Sequence, residues 1–218
     1  LDKSSVSLGV NERNFLGSGR RVSGSISTSG TKTNFNLGIT EPYLLGRDLT
    51  GSFDVFNTKT KSDETTVNQT GFSFGVGFSA ARDVFHRLNY ELSQSKTTVA
   101  STTASSITGE AGETRLRSSL NYVLSKDTRD SRFDPNEGYY LEMDETLAGF
   151  GGDVTFLRTK LSASYYQPLL FKSVILGVTG KLGYVAGLGD KVTQSQRFNL
   201  GGRDVRGFGS GGIGPRDT

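Results

Sequence analysis

Cysteine and tryptophan are absent from this 218-residue sequence, which also has one histidine, one methionine and four prolines. The absence of cysteine excludes disulfide frameworks, cysteine-ligated zinc and thiol catalysis. No run of about 18 apolar residues occurs, which excludes a transmembrane helix. Residues 1–4 lack the basic start and apolar stretch of a signal peptide, so we expect none there. With His86 as the single imidazole, we predict no His-based metal site and no Ser-His-Asp triad.

Hydrophobic residues are also scarce, at 33% of the sequence, against roughly 45–50% in soluble domains. This composition disfavours a close-packed helical core, whereas the 10% share of aromatic residues disfavours intrinsic disorder. The net charge is only +3, with 25 basic and 22 acidic residues mixed along the chain. Because no polybasic block stands out, we predict no nucleic-acid partner.

What the sequence does contain is strict alternation of apolar and small polar residues. In residues 71–80, Phe72, Phe74, Val76 and Phe78 occupy one face, and the odd positions are all glycine or serine. A period of two residues predicts β-strands. The same period recurs along the chain and predicts about ten strands of roughly 8–14 residues. No segment has convincing helical spacing.

Two features indicate that the apolar faces meet lipid and not the core of a soluble β-sandwich. Residues 173–188 alternate without a proline or a turn cluster. Such a length suits the roughly 9–11 residues of a transmembrane strand better than the roughly 5–6 of a soluble one. The opposite faces are rich in Gly, Ser, Asn and Thr, which is typical of the polar interior of a membrane barrel.

The connections between strands alternate between two kinds, as in outer-membrane barrels with short turns on one side and longer loops on the other. Compact connections are predicted at 14–19, 41–48, 81–86, 126–138 and 167–172. Connections rich in Ser, Thr and Gly are predicted at 29–31, 59–69, 96–113, 149–153 and from 187 onward. Aromatic residues near strand ends are expected at the membrane interface: Tyr43, Tyr139, Tyr140, Tyr165, Tyr166, Phe171 and Tyr184.

The predicted fold is therefore all-β: a transmembrane antiparallel up-and-down β-barrel. A barrel in lipid must close, because an open sheet edge leaves backbone groups unpaired. The sequence starts within an alternating strand and stops within a glycine-rich loop. We therefore expect it to be an internal piece of a longer polypeptide.

Three motifs carry a resemblance to a known family. The most specific one follows the last predicted strand and consists of Val205, Arg206, Gly207 and Phe208, with Gly201, Gly202, Gly211, Gly212, Gly214 and Pro215 around it. The second is a turn with Asp134, Pro135, Gly138 and Tyr139. The third is the stretch 14–19, followed by the Glu-Pro-Tyr of 41–43. Together they resemble the Omp85 superfamily, and most closely its outer-membrane barrel assembly factors, along essentially the whole chain.

The resemblance implies where this chain lies in a larger protein. It implies a sixteen-strand barrel, covered here from the second strand to the sixth extracellular loop. Residues 1–186 would be strands and turns, and residues 187–218 would be a glycine-rich loop directed into the lumen. Periplasmic POTRA domains and the closing strands would lie outside this chain. Arg206 would contact acidic residues on strands beyond Thr218, where a guanidinium suits a carboxylate.

The resemblance also implies a function in the bacterial outer membrane. Such a factor folds and inserts other barrel proteins through a lateral gate, without nucleotide hydrolysis, cofactor, metal or catalytic residue. Its expected partners are outer-membrane lipids, unfolded outer-membrane proteins, and periplasmic and lipoprotein subunits of an assembly complex. Three alternatives stay open: another Omp85 member, such as a two-partner secretion transporter or an autotransporter assembly factor; a passive porin-like barrel or an enzyme barrel; and a soluble β-sandwich adhesin.

Acidic residues form two further clusters. Asp127, Asp130 and Asp134 lack the spacing of a calcium loop, so we interpret them as parts of a polar turn that starts at Asp134 and ends at Gly138. Glu142 and Asp144 share one face of a strand, and we expect them to form an acidic patch toward the lumen.

Overall fold

The structure, a computed structural model, describes residues 4–61, 65–99, 112–169, 174–189 and 197–198. Ten strands form one antiparallel sheet in which each strand pairs with the next along the chain. The strands are β1 Ser5–Glu12, β2 Arg21–Ser29, β3 Lys32–Glu41, β4 Thr50–Lys61, β5 Thr65–Ala81, β6 Val84–Val99, β7 Thr114–Asp127, β8 Gly138–Ala148, β9 Phe156–Leu169 and β10 Val174–Gly187. In the described part of the chain, no helix is long and apolar enough to span a membrane. The prediction of about ten antiparallel strands is confirmed.

The pairing register carries the alternation of β5 across the whole sheet. Phe74 of β5 lies opposite Phe53 of β4 and Tyr90 of β6, and Tyr90 lies opposite Leu120 of β7. We call the face with Phe72, Phe74 and Val76 the outward face, and the face with Ser73 and Gly75 the inward face. These names extend to the residues that the register places on the same side.

The outward face is covered by nothing in the described chain. Val6, Leu8 and Val10 of β1 are each about 70% exposed. Among the described residues, the buried hydrophobic ones are Ala148, Val154 and Phe156. A soluble sheet of this size packs its apolar face against a second layer. A sheet that spans a membrane leaves that face to lipid instead.

The predicted connections 59–69, 81–86 and 96–113 are too wide and overlap the strands by at least four residues each. The predicted connection 59–69 overlaps β4, which runs to Lys61, and β5, which starts at Thr65. The predicted connection 96–113 overlaps β6, which extends to Val99. The predicted turn 81–86 shrinks to residues 82–83, with Asp83 at φ 63°. The strands consequently reach 17 residues, beyond the predicted 14. The last residues of β4 and β6 and the first residues of β5 are mostly polar on both faces. The alternation of apolar and polar residues therefore disappears there, although threonine pairs well in strands.

The first two compact turns share one backbone geometry. Leu16 and Leu45 both have positive φ, at 52° and 55°, within short 3₁₀ turns. In the first turn the Asn14 side chain accepts a hydrogen bond from the Gly19 N–H at 2.7 Å. The two turns are linked because Arg20 forms a 2.7 Å ion pair with Glu41.

Candidate functional site

The turn between β7 and β8, residues 128–137, belongs to the second sequence motif, which the structure describes in full. Its two ends are joined by Thr128 and Tyr139. The Thr128 N–H donates to the Tyr139 carbonyl at 2.9 Å, and the Tyr139 N–H donates to Thr128 Oγ1 at 3.0 Å. Gly138 has a φ of +99°, and a Cβ there would lie 2.4 Å from the Thr128 carbonyl oxygen. Glycine is therefore required at this position.

The centre of this turn is the Asp130 carboxylate. Its Oδ1 accepts main-chain N–H bonds from Ser131 and Asn136, both at 2.9 Å, and from Glu137 at 3.2 Å. Its Oδ2 accepts a bond from Asn136 Nδ2 at 3.1 Å. Hydrogen bonds from Asn136 are the main reason why the pKa of Asp130 falls to about 2, since they favour the charged carboxylate.

Asp134 and Pro135, the predicted start of the turn, lie in its middle. Asp134 is exposed and contributes through its main chain, because its N–H donates to Ser131 Oγ at 3.2 Å and its carbonyl accepts from Asn136 Nδ2 at 3.3 Å. The interpretation that Asp134 starts the turn is wrong, since the loop begins at Thr128 and closes around Asp130. The signal for Asp130 was its position just after a strand end, where Asp bonds main-chain groups ahead of it.

A chain of side chains leads from this turn onto the inward face. The Arg129 guanidinium donates two hydrogen bonds to Asp127, from Nε at 2.8 Å and from Nη2 at 2.9 Å. Its central carbon lies 4.7 Å from the centre of the Tyr140 ring. The bond to Asp127 raises the pKa of Arg129. The Tyr140 hydroxyl donates to Glu142. The predictions that Tyr140 and Tyr166 belong to the interfacial belt are wrong, because consecutive strand residues point to opposite faces. The register places Tyr139 and Tyr165 outward and their neighbours Tyr140 and Tyr166 inward.

Further along the inward face, charged and amide side chains form a network over β5 to β9. Arg117 donates to Glu91, and Gln69 Nε2 donates to Glu91 Oε1 at 3.4 Å. Asn121 Nδ2 donates to Asp144 Oδ1 at 2.6 Å, and the Lys160 ammonium lies 3.5 Å from Asp144 Oδ2. Asp144 and Glu142 thus share the inward face, and each has a polar partner.

This network surrounds a recess of about 260 Å³. Arg117 and Arg158 line it, and the Nε atom of each is buried without a hydrogen-bond partner in the described part of the chain. Buried guanidinium N–H groups are costly unless they are paired. The recess therefore favours a polar group over an apolar one.

Of the glycine-rich segment after β10, the structure describes residues 188–189 and 197–198. A Cβ on Gly183 would lie 2.8 Å from Cζ of Phe198, and Gly183 belongs to the inward face of β10. Phe198 therefore packs back onto the inner wall. The predicted loop residues Val205, Arg206, Gly207, Phe208, Gly201, Gly202, Gly211, Gly212, Gly214 and Pro215 lie outside the described residues.

His86, predicted in a turn, lies instead within β6. It faces outward, where its Nδ1 is 2.8 Å from the Tyr122 hydroxyl and its ring stacks on Phe78 at 5.0 Å. Over residues 4–61, 65–99, 112–169, 174–189 and 197–198, no group of three His, Asp or Glu residues could hold a metal ion.

Known proteins resemble this chain in both sequence and fold. Residues 14–218 match the Omp85 superfamily domain. The outer membrane protein assembly factor BamA of Neorickettsia risticii is 28% identical over 213 residues, covering 95% of this chain and 28% of that protein. The sorting and assembly machinery component 50 homolog of Homo sapiens is 28% identical over 221 residues, covering 99% of this chain and 46% of that protein. The chain thus spans less than half the length of these relatives.

The solved structure of BamA from Haemophilus ducreyi lacking POTRA domains 1–3 superposes with a TM-score of 0.89 at 20% identity, covering 98% of this chain and 45% of that one. This likeness confirms the all-β barrel fold. Omp85 assembly factors are membrane proteins without enzymatic activity, in agreement with the sequence prediction. With a family match that covers all but the first 13 residues, the chain belongs to the Omp85 superfamily.

Proposed function

We propose that this chain is the central wall of an outer-membrane β-barrel assembly factor of the BamA and Sam50 type. The observation that carries the proposal is the likeness, over 95–99% of the chain, to proteins named as assembly factors or assembly-machinery components. The uncovered apolar outward face agrees with a location in lipid. The neighbouring inward polar network agrees with a stiff, water-facing wall.

In this proposal the chain does no chemistry of its own. An incoming strand would pair with an exposed sheet edge by β-augmentation, at a lateral gate between strands outside this chain. The folding free energy of the substrate would drive insertion. The ten strands described here would hold the opposite side of the barrel rigid, so that opening is confined to the gate.

The glycine-rich loop would brace the barrel from within. Phe198 packs on Gly183, which supports a course of the loop along the inner wall. We propose that Arg206 then pairs with acidic residues on strands beyond this chain. A guanidinium presents a planar fork of donors suited to a carboxylate.

The outer membrane of a bacterium is the location we propose, with lipids, unfolded barrel proteins, and periplasmic and lipoprotein subunits as partners. The human relative makes the mitochondrial outer membrane the alternative location. Two-partner secretion transporters and autotransporter assembly factors of the same superfamily are the alternative functions. The second alternative is a passive porin-like barrel.

Depletion of the full-length protein in its source cell separates these functions. General assembly predicts that all outer-membrane barrels decline together and that their unfolded forms accumulate in the periplasm. Loss of a single exported protein would replace the proposal with a dedicated transporter. An unchanged set of barrels would overturn it.

The loop is tested by rescue of the depleted cell with point variants. Arg206→Ala should lower barrel assembly strongly, whereas Arg203→Ala, three residues earlier in the same loop, is the matched control and should rescue fully. Equal rescue by both variants would contradict the bracing role of Arg206, while the assembly function itself would still be tested by the depletion.

A further inference from the structure

A groove crosses the outward face of the last four strands near the compact turns. The register places Lys126 opposite Leu141, Leu141 opposite Ala163, and Ala163 opposite Gly180. These four residues thus form one row that runs across β7 to β10. Because Ala163 and Gly180 are small, the protein surface along this row is recessed where the row crosses β9 and β10.

Larger side chains wall this row on both sides. Tyr139, Tyr165 and Val178 border it toward the compact turns, and Met143 and Leu161 border it on the other side. The two halves of the groove measure about 430 and 480 Å³ and share Leu141 and Ala163. A Cβ on Gly180 would meet no atom within 4 Å. The groove is therefore open, and its lining is almost wholly apolar.

A positive charge stands at the β7 end of the groove. Lys126 is exposed, lines the groove, and its Nζ lies 5.5 Å from the centre of the Tyr139 ring. Among the described residues, Lys126 is part of no ion pair. An apolar slot that ends at an ammonium without an ion-pair partner among the described residues matches a molecule with a hydrocarbon chain and an anionic head.

We propose that this groove holds one acyl chain of an anionic glycerophospholipid whose phosphate binds Lys126. Strands of such barrels tilt by roughly 35–45°, so a row across them runs obliquely into the bilayer, as a descending acyl chain requires. Compact turns lie on the periplasmic side of outer-membrane barrels, so the lipid comes from the periplasmic leaflet. The inference rests on the proposed outer-membrane location and is independent of the assembly activity.

The test is native mass spectrometry of the full-length protein, delipidated and then incubated with equal amounts of phosphatidylglycerol and phosphatidylethanolamine. Wild type should retain phosphatidylglycerol preferentially. Lys126→Gln should reduce that retention about fivefold, because one Lys at a membrane surface contributes roughly 1 kcal/mol. Lys96→Gln, an exposed outward-face lysine at the opposite end of the strands, is the matched control and should change nothing.

The groove itself is tested by filling it. Gly180→Leu should lower retention of both lipids, whereas Ala186→Leu, on the same face of β10 but outside the groove, should not. Heat-modifiable gel migration checks that each variant is folded, and Ala163→Leu replaces Gly180→Leu if that variant does not fold. Equal retention of the two lipids by wild type, or equal losses in variant and control, would overturn the site. Selective retention of added lipopolysaccharide would do the same.

Discussion

The two faces of the same ten strands are stabilised in different ways. The outward face exposes Leu8, Phe74 and Val178 and depends on solvent outside the protein for its burial. The inward face holds Glu91 against Arg117 and Asp144 against Lys160 within the sheet. With three buried hydrophobic residues in the described chain, the sheet gains little from a protein core. Burial of its apolar side chains in lipid supplies most of the hydrophobic stabilisation. The polar contacts on the inward face fix how neighbouring strands are arranged.

The sharpest way to break this comparison is to put one charge on each face. Phe74→Arg, in the middle of the outward face, should destabilise the barrel by about 2–4 kcal/mol in bilayers. Ser73→Arg, the next residue, faces inward between Asp54 and Glu91 in the register. It should change the free energy of unfolding by less than about 1 kcal/mol, since water and carboxylates solvate the new charge.

Urea titration in lipid vesicles, followed by gel migration, measures both free energies. Equal costs for the two substitutions would show that the faces do not meet different solvents.

The next effect concerns the turn between β7 and β8, which fixes the register of these two strands. A register slip of one residue would move outward side chains to the inward face. Gly138→Ala places a Cβ against the Thr128 carbonyl at a φ of +99° and should cost about 1–3 kcal/mol. Gly46→Ala is the matched control, with φ +70° but nothing within 4 Å of the added Cβ. It should cost less, and a larger loss at Gly46 in the same titration would refute the role of close packing at Gly138.

Much of this architecture could be predicted from the sequence, and the limits have physical causes. Residues 71–80 keep a period of two because one face of the strand meets lipid, which favours apolar side chains. The other face meets the lumen, which favours small or polar ones. At the ends of β4 to β6 both faces are polar, so the period is lost and the strands were predicted too short. The pairing of Glu91 with Arg117 depends on register between β6 and β7, which residue spacing within one strand does not reveal. Asp130 accepts hydrogen bonds from groups six and seven residues away only after the loop has folded.

A smaller effect is expected within the inward network. Glu91→Gln leaves the partly buried Arg117 charge unpaired and should cost about 1–2 kcal/mol. Glu113→Gln removes a similar pair with Arg115 on the same face of β7, but Glu113 is 61% exposed. That control should cost less than about 0.5 kcal/mol. The urea titration distinguishes them, and indistinguishable midpoints would mean that the network does not stabilise the wall.

The smallest effect is the pH response of the turn. The pKa of Asp130 is lowered to about 2 from 3.8, so its carboxylate stabilises the turn fully above about pH 4 and loses this contribution as the pH falls toward 2. Amide exchange at Asn136 and Glu137 should accelerate in that range relative to intrinsic rates. Asp130→Asn should abolish the pH response, whereas Asp134→Asn should preserve it. A response that survives in Asp130→Asn would assign it to another group.

The most direct test of the two-faced wall is spin-label accessibility along β5 in the full-length protein, freed of any cysteine and reconstituted in lipid vesicles. Single cysteines at 72, 74, 76 and 78 should carry labels relaxed by oxygen dissolved in the bilayer. Labels at 69, 73 and 79, which lie on the inward face and replace no glycine, should be relaxed by a water-soluble nickel complex. This alternation, with a period of two, is the predicted result. Accessibility to nickel on both faces alike would contradict a membrane-spanning sheet.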